Sequence, residues 1–196
     1  QLARRRRRRA RLRDRGSRHQ GHEVEELGEV SGRDLIGNKY LAPQIEKEII
    51  VLPSKFCDAS IGSGIVTSVP SDSPDDYQGL VDLQNSPSDC DAWSLDHEYI
   101  KSIKPLAILD SGEMGTLPAP DLCKKLGIKN QTQRAKLEKA KQDLYMHSFN
   151  HGVMLESTGF VAGKPVEEAR DIVKNKLVDE ICKKNHLPLM IDGTFN

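Results

Sequence analysis

The sequence lacks the marks of several protein classes. No apolar run approaches the length that spans a bilayer, and the basic start is not followed by the apolar core of a secretory signal. The four cysteines, Cys57, Cys90, Cys123 and Cys182, stand singly, with no CxxC or CxxH spacing. That spacing argues against a zinc site and predicts free, mostly buried thiols of a reducing compartment. No methionine opens the chain, which starts at Gln1 and so reads as a piece of something longer.

What is present fits a globular protein of one ordinary domain with tails. The chain has 196 residues, 37% of them hydrophobic and 30% charged. Its zero net charge hides a split. Residues 1–20 hold ten arginines and one aspartate, a net of +9, so the remainder carries −9. An acidic body argues against a protein that coats nucleic acid by charge alone. The run "RRRRRRARLRDRGSRH" repels itself and buries little, which predicts disorder. It reads as a solvated tail, a nuclear-import signal or an RNA-binding arm.

Three regions follow: a basic tail over 1–23, a folded domain over 24–185 and a divergent tail over 186–196. Within the domain, "EVSGRDLIGNKYLAPQ" reads as strand, turn and strand. "KEIIVLPSKF" is β-branched and stopped by Pro53, which predicts a strand at 49–52. "GIVTSV" predicts another at 65–69, and the polar run at 86–98 reads as a loop. A short strand is expected after Pro105, and a short helix near Asp121 that stops at Gly127. Helices are expected over 74–83, 132–149 and 165–183. In the second of these, Leu137, Ala140 and Leu144 share a face. In the third, Val166, Ala169, Ile172, Val173 and Leu177 make a buried stripe. The fold class expected is mixed α/β, a mixed sheet or barrel-like array of short strands with packed helices.

The stretch "GSGIVTSVPSDSPDDY", residues 62–77, carries the chemistry. Pro70 cannot donate to a ladder, so a strand ends there. Ser73 suits an N-cap, Pro74 the first helical position, and Asp75 and Asp76 the positive end of a helix dipole. Asp76, three residues after Ser73, can return a hydrogen bond to the cap. Capping does not require Asp72, nor glycines at 62 and 64. Gly62 and Gly64 let a ligand or another backbone approach. A carboxylate beside them suits a cation, such as an ammonium group. The absence of nearby histidines argues against a transition metal.

This stretch resembles the editing-domain signature of leucyl-tRNA synthetases of the archaeal and eukaryotic cytosolic type. "SGRDLIG", "IIVLP", "LCKKLGIKNQTQRAKLEKAKQDLY", "GVML" and "GKPVEEARDIVKNKL" continue the likeness in order, from about residue 24 to 179. The resemblance implies a connective-peptide editing domain that hydrolyses the ester of a wrong amino acid on tRNA. By that likeness Asp76 anchors the substrate's α-ammonium. Thr67, Val69 and Ser71 belong to the wall that reads the side chain and terminal adenosine, with Asp72 among the substrate-binding residues. Gly62 and Gly64 form the floor. No protein nucleophile and no metal are implied. The parent enzyme would attach leucine to tRNA(Leu) with ATP and magnesium in the cytoplasm. Its partners would be the mischarged tRNA 3′ end and the rest of the synthetase, with no membrane. No cofactor is expected for this segment, and the synthetase signatures HIGH and KMSKS are absent. Ser63 stands where the family has threonine, and the family's threonine-rich strand has no match, which reads as a fragment. Two alternatives remain: a non-catalytic remnant that works as an RNA- or protein-interaction module, and a basic-tailed nucleic-acid-binding protein.

Overall fold

A computed structural model describes residues 30–42, 47–57 and 65–182. The basic tail, the expected start of order near Val24 and the 186–196 tail lie outside the described residues. The fold is mixed α/β, built as two compact units.

The first unit takes in residues up to Ser68 together with Gly79–Ile103. A single helical turn, α1 (Gly32–Leu35), is capped by the Ser31 hydroxyl. It stands where a strand is expected, because Ser31 and the following Gly–Arg–Asp satisfy a helix start better than a ladder. The chain turns at Gly37, whose φ of 86° suits glycine. It then enters β1 (Lys39–Ala42), which pairs antiparallel with β2 (Lys47–Ile50), Tyr40 lying opposite Ile49.

Residues 65–69 are extended but join no ladder among the described residues, which corrects the expected strand. A β-branched run is a strand only where another edge meets it. Here Ile65 and Val66 remain 57% and 55% exposed.

The polar run after Ser86 is not a loop either. It folds as α3 (Pro87–Ala92) and α4 (His97–Ser102), capped by the side chains of Ser86 and Asp96. Leu80, Leu83, Cys90, Leu95 and Ile100 make this unit's core. The Gln84 amide closes the end of α4 by donating to the carbonyls of Ile100 and Ile103, at 3.1 and 2.9 Å.

The second unit holds Val69–Gln78 and the residues from Lys104 onward. Helix α2 (Pro74–Gln84) begins here and runs on into the first unit. The unit's sheet among the described residues is an antiparallel pair of short strands, β3 (Leu109–Asp110) with β4 (Val153–Met154). Helix α5 (Pro118–Lys125) ends before Gly127, whose φ of 60° allows the turn. Helix α6 (Arg134–His151) buries Leu137, Ala140, Leu144 and Ser148 along one stripe. Cys123 and Ile128 close the core against Leu137 and Ala140. Helix α7 (Val166–Leu177) starts after Pro165, continues as a π turn over Val178–Cys182, and buries Ala169 fully. The rest of its expected stripe is half-buried.

Gly152 ends α6 at a close approach. A Cβ there would lie 2.4 Å from the Ser148 carbonyl oxygen and 2.8 Å from a Val166 methyl. Beneath it the Ser111 and Ser148 hydroxyls meet at 2.8 Å, and His147 Nε2 lies 2.8 Å from the Ser111 carbonyl oxygen.

Candidate active site

Residues 69–76 fold into a compact loop. Pro70 ends the extended run, and the Val69 carbonyl accepts from the N–H groups of Asp72 and Ser73, at 3.0 and 2.9 Å. With its N–H so engaged, Ser73 has none to offer the Asp76 carboxylate. The reciprocal cap expected from sequence therefore takes another form. Asp76 Oδ2 reaches back seven residues and accepts from the Val69 N–H at 2.6 Å. The Ser73 hydroxyl faces the Asp76 N–H at 3.5 Å and also bonds the Asp76 carboxylate. The Ser71 carbonyl accepts from Ala119 N–H at 3.0 Å, which ties the loop to the start of α5.

Three carboxylates thus gather at the head of α2, in three different settings. Asp75 is nearly sealed and accepts from the Arg134 guanidinium at 2.7 Å. Asp76 is 7% exposed, and no cation lies within ion-pair distance of it among the described residues. Burial raises its pKa. The Val69 and Ser73 hydrogen bonds oppose the rise, Asp75 adds to it, and Lys141 acts from farther off to lower it.

Asp72 accepts from the Ser71 hydroxyl through Oδ2, while Oδ1 is shut from water with no hydrogen-bond partner. Burial pushes this carboxyl up to about 6 against the lowering effect of Ser71. Tyr145 of α6 joins the group. Its hydroxyl bonds Ser73, while burial and the charges of Asp76, Asp75 and Asp72 hold its pKa up. Asp72 and Tyr145 also line an open groove of about 510 Å³, whose walls include Leu109, Met146, Phe149 and Val166.

The structure brings together Val69, Ser71, Asp72 and Asp76 of the residues named from sequence. Thr67 is exposed in the extended run, on the other side of the unit boundary between Ser68 and Val69. Gly62 and Gly64 lie outside the described residues. Sequence reasoning missed Arg134 and Tyr145. Both stand in a helix about sixty residues downstream, whose pattern reads as packing alone, and no local signal links them to the loop. Among the described residues no three His, Cys, Asp or Glu side chains are placed to hold a metal ion. The arrangement offers buried negative charge, backbone groups and hydroxyls. It can hold a cation and orient a polar group.

No family model matches the chain. Curated relatives do. It is 38% identical over 157 residues to the leucine–tRNA ligase of Methanothrix thermoacetophila, spanning 80% of this chain and 16% of that enzyme. It is 39% identical over 153 residues to the cytoplasmic leucine–tRNA ligase of Dictyostelium discoideum, spanning 78% and 14%. The chain therefore spans about a sixth of the length of the relatives it matches. The crystal structure of GlLeuRS-CP1 superposes with a TM-score of 0.69 at 34% identity, covering 78% of this chain and 59% of that one. The P. knowlesi cytosolic leucyl-tRNA synthetase editing domain superposes at 0.70 with 24% identity, a likeness of fold covering 79% and 50%. By sequence its homologues are leucine–tRNA ligases, and by fold its neighbours are their connective-peptide editing domains.

Proposed function

We propose that this segment serves the hydrolytic editing of mischarged tRNA. Its parent attaches leucine to tRNA(Leu) with ATP and magnesium and removes a wrong amino acid by cleaving its ester. Amino acids that differ by one methyl group are poorly separated by binding, so a second, hydrolytic sieve is the physical remedy. One observation carries the reading. Of the three carboxylates at the head of α2, only Asp75 has a cation in ion-pair contact among the described residues. The buried negative charge of Asp76 and its neighbour Asp72 is left for a cation from outside. The α-ammonium of an aminoacyl ester is such a cation.

In this reading Asp76 anchors the ammonium. Thr67, Val69 and Ser71, with Gly62 and Gly64, bound the side chain and terminal adenosine, and Asp72 bears on the substrate as a neighbouring charge. Water is the nucleophile. Catalysis comes from holding the ester carbon in line with that water and stabilising the oxyanion by fixed dipoles. The partners are the tRNA 3′ end and the remainder of the synthetase. The setting is the cytoplasm, as for the cytoplasmic relative in Dictyostelium. No helix among the described residues is long and apolar enough to cross a membrane.

A second reading has its own observation: the run at 65–69, with Thr67 in it, joins no ladder among the described residues. This favours an interaction module for the chain acting alone. A deacylation assay with mischarged tRNA(Leu) separates the two. Release of the wrong amino acid above the spontaneous rate, abolished by Asp76→Ala, supports editing by the chain itself. Release at the spontaneous rate by this chain, with turnover by the complete enzyme, supports the module.

A further inference from the structure

Tyr145 stands on α6 between Leu144 and Ser148, both buried, so the packing of the helix fixes where its ring begins. The ring walls the groove beside Asp72, and the Lys141 ammonium lies 5.6 Å from its centroid, one turn earlier on the helix. The phenol hydroxyl reaches Ser73. Ser73 in turn bonds the Asp76 carboxylate, and its hydroxyl oxygen faces the Asp76 N–H at 3.5 Å.

This relay has a direction. A serine hydroxyl has one hydrogen to give and two lone pairs with which to receive. An ionised carboxylate only accepts, so the Ser73 hydrogen goes to Asp76. The Asp76 N–H takes one lone pair of Ser73 Oγ. The other is left for Tyr145, whose O–H therefore donates. Burial, with the charges of Asp76, Asp75 and Asp72, keeps the phenol protonated for that purpose. Asp76 is then gripped at two points, by the Ser73 hydroxyl and by the Val69 N–H at 2.6 Å. We propose that Tyr145 is a positioning residue for the hydrolytic reaction: by donating to Ser73 it turns the single Ser73 proton onto Asp76, and so fixes the carboxylate that receives the substrate's ammonium. The inference rests on the editing reading and deepens it. Without the phenol O–H, the Ser73 hydroxyl is free to turn its proton to water, and the carboxylate keeps only the Val69 restraint. An anchor that swings still attracts the ammonium but no longer holds the ester in line with its water.

Tyr145→Phe tests this, because it keeps the ring and the groove wall and removes the hydroxyl alone. In the complete synthetase that carries this segment, kcat for deacylation of mischarged tRNA(Leu) should fall roughly three- to tenfold, the worth of one hydrogen bond, with KM changed less than about twofold. Ser73→Ala should lower kcat as well. Tyr145→Phe added to it should cost nothing further, because Tyr145 acts through Ser73. In the 196-residue chain, hydrogen exchange at the Val69 amide should quicken at least about threefold in Tyr145→Phe, with the Leu137 and Leu144 amides unchanged. The proposal is overturned by a normal kcat or unchanged Val69 exchange in Tyr145→Phe. Losses that multiply in the double variant overturn it too, since Tyr145 would then act on the substrate itself. Equal quickening of Val69 and the core amides would make Tyr145 a packing residue only. Asp76→Ala keeps the two failures apart. If it abolishes deacylation while Tyr145→Phe leaves it normal, this inference falls and the editing reading stands. If Asp76→Ala edits normally, the editing reading falls and takes this inference with it.

Discussion

Asp76 has two duties, and they are separable by measurement. Its carboxylate accepts the Val69 N–H, and in the proposed reaction it also faces an ammonium group. Asp76→Ala in a complete parent enzyme should lower deacylation by about 2–3 kcal/mol of transition-state binding, a fall of roughly 30- to 150-fold in kcat/KM. Leucine activation should be unchanged. The same change leaves the Val69 N–H without an acceptor and should destabilise the fold by about 1–3 kcal/mol. Normal editing by a variant that melts earlier would make Asp76 a loop residue only.

Asp72 makes a prediction with a sign. Its folded pKa, about 6, lies above the ordinary carboxylate value, so the native state holds the proton more tightly than the unfolded chain. The stability this group contributes is full below the ordinary value and is lost as pH rises through about 6. Asp72→Asn should therefore stabilise the chain at pH 7.5 by about 1–2 kcal/mol, discounted for a site partly open to water, and do nothing at pH 4. Equal effects at both values in chemical denaturation would refute the assignment. Asp75 is tested through its partner. Arg134→Met strands a side chain only 9% exposed, while the arginine is itself 56% exposed, so the loss should be about 1–2 kcal/mol, largely recovered by adding Asp75→Asn.

At the scale of elements, the close approach at Gly152 gives the sharpest test. Gly152→Ala places a methyl group against the Ser148 carbonyl and a Val166 side chain, and should destabilise by roughly 1–3 kcal/mol in thermal melts. Its φ is −74°, open to any residue, and what marks this glycine is the Ser148 carbonyl of its own helix together with the Val166 side chain of α7. The same contrast runs through the molecule. Helix α6 was legible because Leu137, Ala140 and Leu144 repeat at helical spacing. Helices α3 and α4 were not, because polarity hides short helices whose signal lies in the caps Ser86 and Asp96. The 65–69 run shows the reverse failure. Its composition suits a strand, but a ladder depends on a partner, which composition does not reveal. In the site, the turn and helix start could be read from Pro70, Ser73 and Pro74. The ways in which Asp72, Asp75 and Asp76 are held depend on Arg134, Tyr145 and the Val69 backbone, and so appear only in three dimensions.

At the scale of the whole molecule, the division of charge predicts behaviour on polyanions. The first twenty residues carry +9 and the rest −9. The full chain should bind RNA or heparin with an affinity that falls steeply with salt, at about −0.7 per phosphate contact on a log–log plot for single strands. Deleting residues 1–20 should abolish that binding without shifting the melting temperature. Retention unaffected by the deletion would move the interaction to the acidic body.

The loop from Val69 to Asp76 also sets an order in time. Its hydrogen bonds span one to seven residues, from Ser71–Asp72 to Val69–Asp76, whereas its ties to Ala119 and Arg134 span about fifty and sixty. Closing so short a ring takes about 10–100 ns, long before distant segments meet. The acidic loop should therefore be shaped early in folding, and α5 and α6 assemble on it afterwards.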